Sequence, residues 1–299
     1  MRSESHENAD STAVVEDGRY CYCVIDTAMA REEDSGHGNG SENEKDSSDG
    51  EESENGTAFD DGVDGNTVRV IDTEGIGLVV HDCDRVPEPD DPVTVQRWLL
   101  EHQSVVDEAA ETFGTPLPLR FGTVIDGGDE AVEGWLRAES SRLTELLDTF
   151  AGRQEYRVHL LWDDERIADG IDDDRLRELE AERNDADEGR SFLLGKRYEQ
   201  RLAQVTQDKK EHVTALLERR LAELAERLER LGPPGAAARE AIDGPVADER
   251  FSVLVPTDRV DEVSTALAEI EETPGLTIRY TGPWPPYTFT PELGGGESG

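Results

Sequence analysis

Positive charge is what this chain has least of. Lys and Arg number 30 against 70 Asp and Glu, for a formal charge of −40. Nucleic acid and anionic membranes both attract positive charge, so neither is expected as a partner. Long apolar runs are also missing: none reaches the roughly 18 residues of a membrane helix. Met1 to Val15 is polar and acidic, with no apolar core of a secretory signal. Cysteine is scarce. Cys21, Cys23 and Cys83 have no framework spacing, which points to a reducing, cytoplasmic setting. Cys21-Tyr22-Cys23 is not a redox C-x-x-C pair. At i and i+2 of a strand, both thiols are expected on one side as small buried hydrophobes.

The motifs of known chemistry are absent too. The six histidines are His6, His37, His81, His102, His159 and His212, and no two share a metal-binding spacing. His102 falls on the apolar face of a predicted helix, where a satisfied core role is favoured. His81 and Cys83 bracket a strand end and would need further ligands to seat a metal. There is no G-x-S-x-G, Walker A or G-x-G-x-x-G, and Gly75-x-Gly77 is too short for a phosphate loop. No catalytic, cofactor-binding or metal-binding residue is therefore predicted.

The 299 residues suggest about two domains. The acidity extends through periodic, foldable segments, which favours a whole fold adapted to a high-salt cytosol over one disordered tail. Residues 1–17 read as a disordered leader, and Gly18–Asp26 as a strand. Within residues 27–66, the tract Arg31–Gly65 is Glu-, Asp-, Ser- and Gly-rich. It is expected to be a disordered insertion with no part in the core. Strands follow at Val68–Ile71 and Gly75–Asp82. Asp91-Pro92 opens a helix carrying Val95, Trp98, Leu99, His102, Val106, Ala109, Ala110 and Phe113 inward.

Pro116–Ile125 reads as the entry to one strand. In it Arg120 is expected to be a paired, partly buried arginine and not an anion reader. A second helix, Asp129–Ala151, and a strand, Tyr156–Trp162, complete a ferredoxin-like βαββαβ plan with an extra strand over 18–162. Residues 163–289 form the second domain. Its helix Ser191–Leu231 carries Leu217, Leu221, Leu224, Leu228 and Leu231 as a heptad seam, favouring an intramolecular helical hairpin. A strand (Phe251–Pro256), a helix (Val260 to Ile270) and a strand (Leu276–Tyr280) follow, then a frayed tail at 290–299. The fold class is α+β.

The last strand runs into Thr281-Gly282-Pro283-Trp284-Pro285-Pro286-Tyr287-Thr288-Phe289, with three prolines and three aromatics in nine residues. Such a segment is stiff before it folds. It either packs as a capped tail or docks the last domain onto the chain or a partner. A clamp inside the protein is the favoured role.

Three stretches resemble signatures of one family. Pro116-Leu117-Pro118-Leu119-Arg120-Phe121-Gly122-Thr123 is similar to the PLRFGT element of the gas vesicle protein F/L family. Thr281–Phe289 is similar to its TGPWPPYSF-type ending, with Thr288 where Ser is common. Gly195-Lys196-Arg197-Tyr198 resembles its G-x-x-Y-L segment, with Glu199 in place of Leu. The acidic tract departs from the family and, with the overall acidity, resembles a haloarchaeal member of the L branch. The resemblance implies an N-terminal ferredoxin-like domain and a C-terminal α+β domain with a long helical hairpin. It also implies a non-enzymatic accessory or minor structural role in forming gas vesicles, hollow protein shells built in the cytoplasm. The implied partners are the shell subunit and other gas vesicle accessory proteins, with no cofactor. Pro118, Leu119, Arg120, Phe121, Gly122, Thr123, Gly282, Pro283, Trp284, Pro285, Pro286, Tyr287 and Phe289 are the implied structural or interaction residues. The competing expectation is a ferredoxin-like small-molecule binder or enzyme, which would need a pocket near His81, Cys83 and Arg120.

Overall fold

The computed structural model describes residues 14–28, 59, 61–85, 91–233 and 247–293. Residues 1–13 of the expected leader, 29–58 and 60 of the acidic insertion, and 294–299 of the tail lie outside the described residues. Two compact units emerge, one of residues 1–153 with 284–299, the other of residues 154–283. The chain thus leaves the first unit and comes back to it.

The first unit is built on β1 (Val14–Asp26), whose residues Tyr20 to Ile25 are completely buried. A continuous aromatic, Cys and β-branched run suits a strand covered on both faces. β1 pairs antiparallel with β3 (Ile76–Arg85), which forms a hairpin with β2 (Arg69–Thr73). Glu74 and Gly75 make the two-residue turn, both at positive φ (56° and 90°), as tight hairpins demand. α1 (Pro92–Phe113) starts as the sequence predicts. Asp91 accepts the backbone N–H groups of Val93 and Thr94 at 3.1 and 3.0 Å, and Pro92 stands in the first turn. β4 (Leu117–Pro118) and β5 (Val124–Ile125) both pair with β1, and α2 (Gly128–Phe150) closes the unit's main body.

Several expectations change here. The first unit runs β-β-β-α-β-β-α and not βαββαβ, because the strand at 153–162 hydrogen-bonds into the other sheet. The segment 116–125 is two short pairings separated by a turn, not one strand. Cys21 and Cys23 do not face the same side. The β1/β3 register shifts between them, and this bulge sends Cys23 into the cluster of Tyr20, Tyr22 and Ile25. The end of the acidic tract does enter the core. Val63 is buried and Phe59 packs beside it. On α1, Leu99 is exposed, and Val105 takes the buried place instead.

The second unit has β6 (Arg153–Trp162), α3 (Asp164–Asp169), α4 (Asp174–Asn184) and α5 (Glu188–Leu224). β7 (Arg227–Arg230), β8 (Glu249–Pro256), α6 (Val260–Glu271) and β9 (Leu276–Trp284) follow. The sheet order is β7-β8-β6-β9. Asp248 N–H, just before β8, reaches Leu160 O (2.9 Å), and Asp163 N–H meets Gly275 O (2.8 Å) just before β9. The end of β6 therefore lies beside the start of both neighbours, which is antiparallel pairing. Asp163, Asp173 and Asp187 each cap a helix through the N–H three residues on, so part of the acidity is spent at helix starts.

The heptad reading overshoots. α5 stops at Leu224, and Leu228 belongs to β7, which covers the edge of β8 from Arg227↔Leu254 to Arg230↔Phe251. An apolar strand that needs a hydrogen-bonding partner outweighs the helix propensity of four residues. Leu217 and Leu221 pack on the sheet with Tyr156, Val158, Phe251 and Val253, beside Val263, Leu267 and Ile270 of α6. α4 does pack along α5. Arg201 bonds Asp173 at 2.8 Å, and Arg183 lies over the Tyr198 ring at 5.8 Å.

Candidate functional site

The two signature segments meet in the first unit. Leu119 N–H donates to Tyr22 O at 2.9 Å, and its side chain is buried. Arg120 to Thr123 then form a turn, in which Arg120 O accepts Thr123 N–H (3.1 Å) and Thr123 Oγ1 (2.7 Å). Gly122 supplies the positive φ (83°) such a turn requires. Phe121 points down onto the core cluster, and Tyr287 of the terminal segment packs against the same cluster. Arg120 pairs with Glu292 but is 75% exposed, not partly buried as expected, because the turn lifts it off β1. Pro118 pairs opposite Cys23.

In the terminal segment Pro285, Pro286 and Phe289 are buried, with Phe289 and Thr290 N–H donating to Pro286 O at 3.1 and 2.8 Å. Trp284 is the last residue of β9 and the first that the chain returns to the first unit. Gly282 precedes a cis peptide to Pro283. A Cβ on Gly282 would stand 2.7 Å from the Tyr156 ring and 2.9 Å from Glu155 O, so the backbone approaches too closely for any side chain.

Beneath this turn lies a cluster that periodicity does not reveal. Tyr20 Oη lies 2.9 Å from His102 Nδ1, and Tyr22 Oη lies 2.7 Å from His81 Nδ1. The rings cross over: Tyr20 stacks on His81 (4.7 Å) and Tyr22 on His102 (5.1 Å). Each hydroxyl also accepts a backbone N–H, from Gly122 (3.3 Å) and Val63 (2.8 Å). Each tyrosine proton then has an imidazole nitrogen as its acceptor, which fixes both histidines as neutral rings. Burial pushes both histidines down to about 4. Asp82 opposes this at His81, and the Leu119 backbone opposes it at His102. Burial pushes both tyrosines well above their ordinary range. The cluster is a locked polar core, not a proton-transfer site. The readable signal was the Tyr-x-Tyr of β1, with one His on the adjacent strand and one on the facing helix.

A second unpredicted group ties α2 to the sheet. Arg19, nearly buried, meets Asp129 at 2.6 Å, Asp17 at 2.7 Å and Asp82 at 3.2 Å, while Arg69 bridges Asp129 and Asp82. Among the described residues, no three His, Cys, Asp or Glu gather as a metal site. In the second unit, a cleft of about 330 Å³ is lined by Trp162, Lys210, Glu211, Glu218, Arg230 and Glu249; His81, Cys83 and Arg120 are not among its lining residues. No described helix is long and apolar enough to cross a membrane. Among the described residues, large apolar side chains are exposed at two places: Val93, Leu99 and Leu100 on α1, and Phe192 and Leu193 on α5.

These features define a two-unit α+β protein of antiparallel sheets and helices, with both signature segments held on one core. The family profile described as "Gas vesicle synthesis protein GvpL/GvpF" matches residues 18–291, and the chain belongs to that family. It is 41% identical to gas vesicle protein L of Haloferax mediterranei, over 94% of this chain and 89% of that one. It is 37% identical to gas vesicle protein L1 of Halobacterium salinarum, over 97% and 96%. The fold resembles the crystal structures of the gas vesicle protein GvpF from Anabaena and from Microcystis aeruginosa. Their TM-scores are 0.62 and 0.59, at 21% and 18% identity; the matches cover 93% and 92% of this chain and 100% of each of those.

Proposed function

We propose that this protein is a non-enzymatic accessory protein of gas vesicle assembly. It binds the hydrophobic shell subunit, together with other gas vesicle accessory proteins, while the shell is nucleated. The observation that carries the reading is the exposure of large apolar side chains, Val93 (74%), Leu100 (66%), Phe192 (67%) and Leu193 (61%), on a chain of net charge −40. Val93 and Leu100 are seven residues apart, so they share one stripe of α1. Such a stripe offers an aggregation-prone subunit an apolar contact, and the surrounding charge keeps the complex dispersed. A minor fraction retained in finished vesicles fits the same role. The finer fold reading belongs with it. The ferredoxin-like plan expected over residues 18–162 is read instead in the second unit, whose succession β6-α-β7-β8-α6-β9 has the order 2-3-1-4, and α4 with α5 is read as the helical hairpin.

The test is deletion in a host that forms gas vesicles, with pull-down of each co-produced gas vesicle protein at high salt. Missing or malformed vesicles, and capture of the shell subunit, are expected. Normal vesicles in the deletion strain overturn the proposal. Probing washed vesicles for the chain decides whether it is retained.

A further inference from the structure

The second unit gathers positive charge on one sheet face, in a chain with 70 acidic and 30 basic residues. The other face holds the core, with Tyr156, Val158, Leu160, Phe251, Val253 and Ile278 packed under α5 and α6. Strand alternation places Arg157 and His159 of β6, Arg250 and Ser252 of β8, and Arg279 of β9 on the face away from those helices. The three strands are neighbours in the order β8-β6-β9. Burial lowers the basicity of His159, and the charges of Arg250, Arg157 and Arg279 lower it further, so all three are within electrostatic reach of one imidazole.

Counter-charge at this face comes from Glu155, fully buried and ion-paired with Arg157 Nε at 3.5 Å, and from the exposed Glu229, which pairs opposite Ser252. Arg250 donates to the Gly232 carbonyl at 3.0 Å. Arg279, exposed on β9, has no hydrogen bond or ion pair among the described residues. Three buried polar atoms on this face also lack a hydrogen-bond partner among the described residues: Arg157 Nε, His159 Nε2 and Ser252 Oγ, with Ser252 fully buried. All three can donate a hydrogen bond, and none of the three arginines can accept one. Buried donors without acceptors are rare in folded proteins, and a set of them beside several guanidinium groups matches the needs of an oxyanion. The Arg157 side chain is 38% exposed, so the group can be reached from solvent.

The geometry points to an oxyanion-binding site formed by Arg157, Arg250 and Arg279, with His159 and Ser252 beneath them. Its ligand carries carboxylate or phosphate oxygens. Two sources share that chemistry: the side chains of an acidic polypeptide, and a free phosphate.

The experiment is calorimetric titration of the full chain in molar potassium chloride, with inorganic phosphate in one arm and a hexaglutamate peptide in the other. Saturable binding in at least one arm is expected, weakened about tenfold by Arg279→Gln, as for loss of one charge-assisted bond. Arg279 is exposed and unpaired among the described residues, so this variant should keep its far-ultraviolet dichroism and melting temperature. Arg279→Lys, which keeps the charge but not the fork, should bind between the two. Phosphate binding alone identifies a small anion, and peptide binding alone an acidic polypeptide. No saturable binding in either arm, or equal binding by wild type and Arg279→Gln, overturns the proposal.

Discussion

Tyr22 donates a hydroxyl hydrogen bond to Nδ1 of His81 across 2.7 Å while accepting the Val63 N–H at 2.8 Å. The bond joins β1, β3 and the end of the acidic tract. Removing the hydroxyl would strand two buried polar groups at once. Tyr22→Phe should therefore cost about 1–3 kcal/mol, more than the net worth of one hydrogen bond. Denaturant unfolding measures it. A loss below about 0.5 kcal/mol would mean that the hydroxyl is not the anchor. Tyr20→Phe combined with Tyr22→Phe should deviate from additivity, because the four rings touch one another.

The same cluster sets an acid limit. His81 and His102 fall from an unfolded value of 6.5 to about 4 on folding, chiefly through burial. Between those values the unfolded chain binds more protons than the folded one. Stability is therefore complete above pH 6.5 and declines as the pH falls toward 4. Asp82 stands beside His81 and softens the effect, while His81 deepens it at His102. Together the two histidines should cost on the order of a few kcal/mol by the lower end of that window. His81→Asn and His102→Asn keep an acceptor near Nδ1 and remove the titration. Unfolding at pH 7.5 and 5.0 in constant salt should show a shallower pH slope in both variants. An unchanged slope would place the acid sensitivity elsewhere.

Much of the local structure was legible in the residues. Asp91-Pro92 set the start of α1 and Gly114 its end, because capping chemistry is local. Long-range pairing was not legible. Nothing in Arg227–Arg230 announces a strand until β8 presents an open edge. Nothing near residue 153 says that β6 leaves the first sheet. The PLRFGT and PWPPYTF segments stood out by composition, but their meeting on one core depends on the chain's return after Pro283. The apolar pair Phe59 and Val63 was hidden by the acidic composition around it. Removing residues 31–56 should thus leave thermal unfolding nearly unchanged in molar salt, whereas removing 31–65 should lower it clearly.

Two glycines should answer oppositely to one added methyl. Gly282→Ala drives Cβ against Tyr156 and Glu155 O at a φ of 140°, and should cost more than about 2 kcal/mol. Gly134 lies within α2 with nothing near its Cβ position, so Gly134→Ala should gain roughly 0.5–1 kcal/mol. Melting temperatures of the two variants against wild type decide it.

The terminal segment belongs to the first unit, so its loss should be felt at β1. Phe289 is 5% exposed, and Phe289→Ala should cost about 3–5 kcal/mol as a cavity in that unit. Ending the chain after Pro283 should lower amide hydrogen-exchange protection at Tyr20 to Ile25, although those residues lie far upstream. If protection at β1 is unchanged while a partner is lost, the segment is a docking element and not a clamp.

Charge on the α1 stripe should separate binding from folding. Val93 and Leu100 are mostly exposed, so Val93→Asp with Leu100→Asp removes little buried area and should shift stability by no more than about 0.5 kcal/mol each. An apolar partner face, however, would have to bury two new carboxylates without counter-charge, which is strongly unfavourable. Capture of the shell subunit at high salt should therefore fall at least tenfold in the double variant, with unfolding unchanged. The matched change Phe192→Asp with Leu193→Asp tests the α5 site in the same way. If both double variants capture the subunit as wild type does, these exposed apolar side chains are not the binding surface.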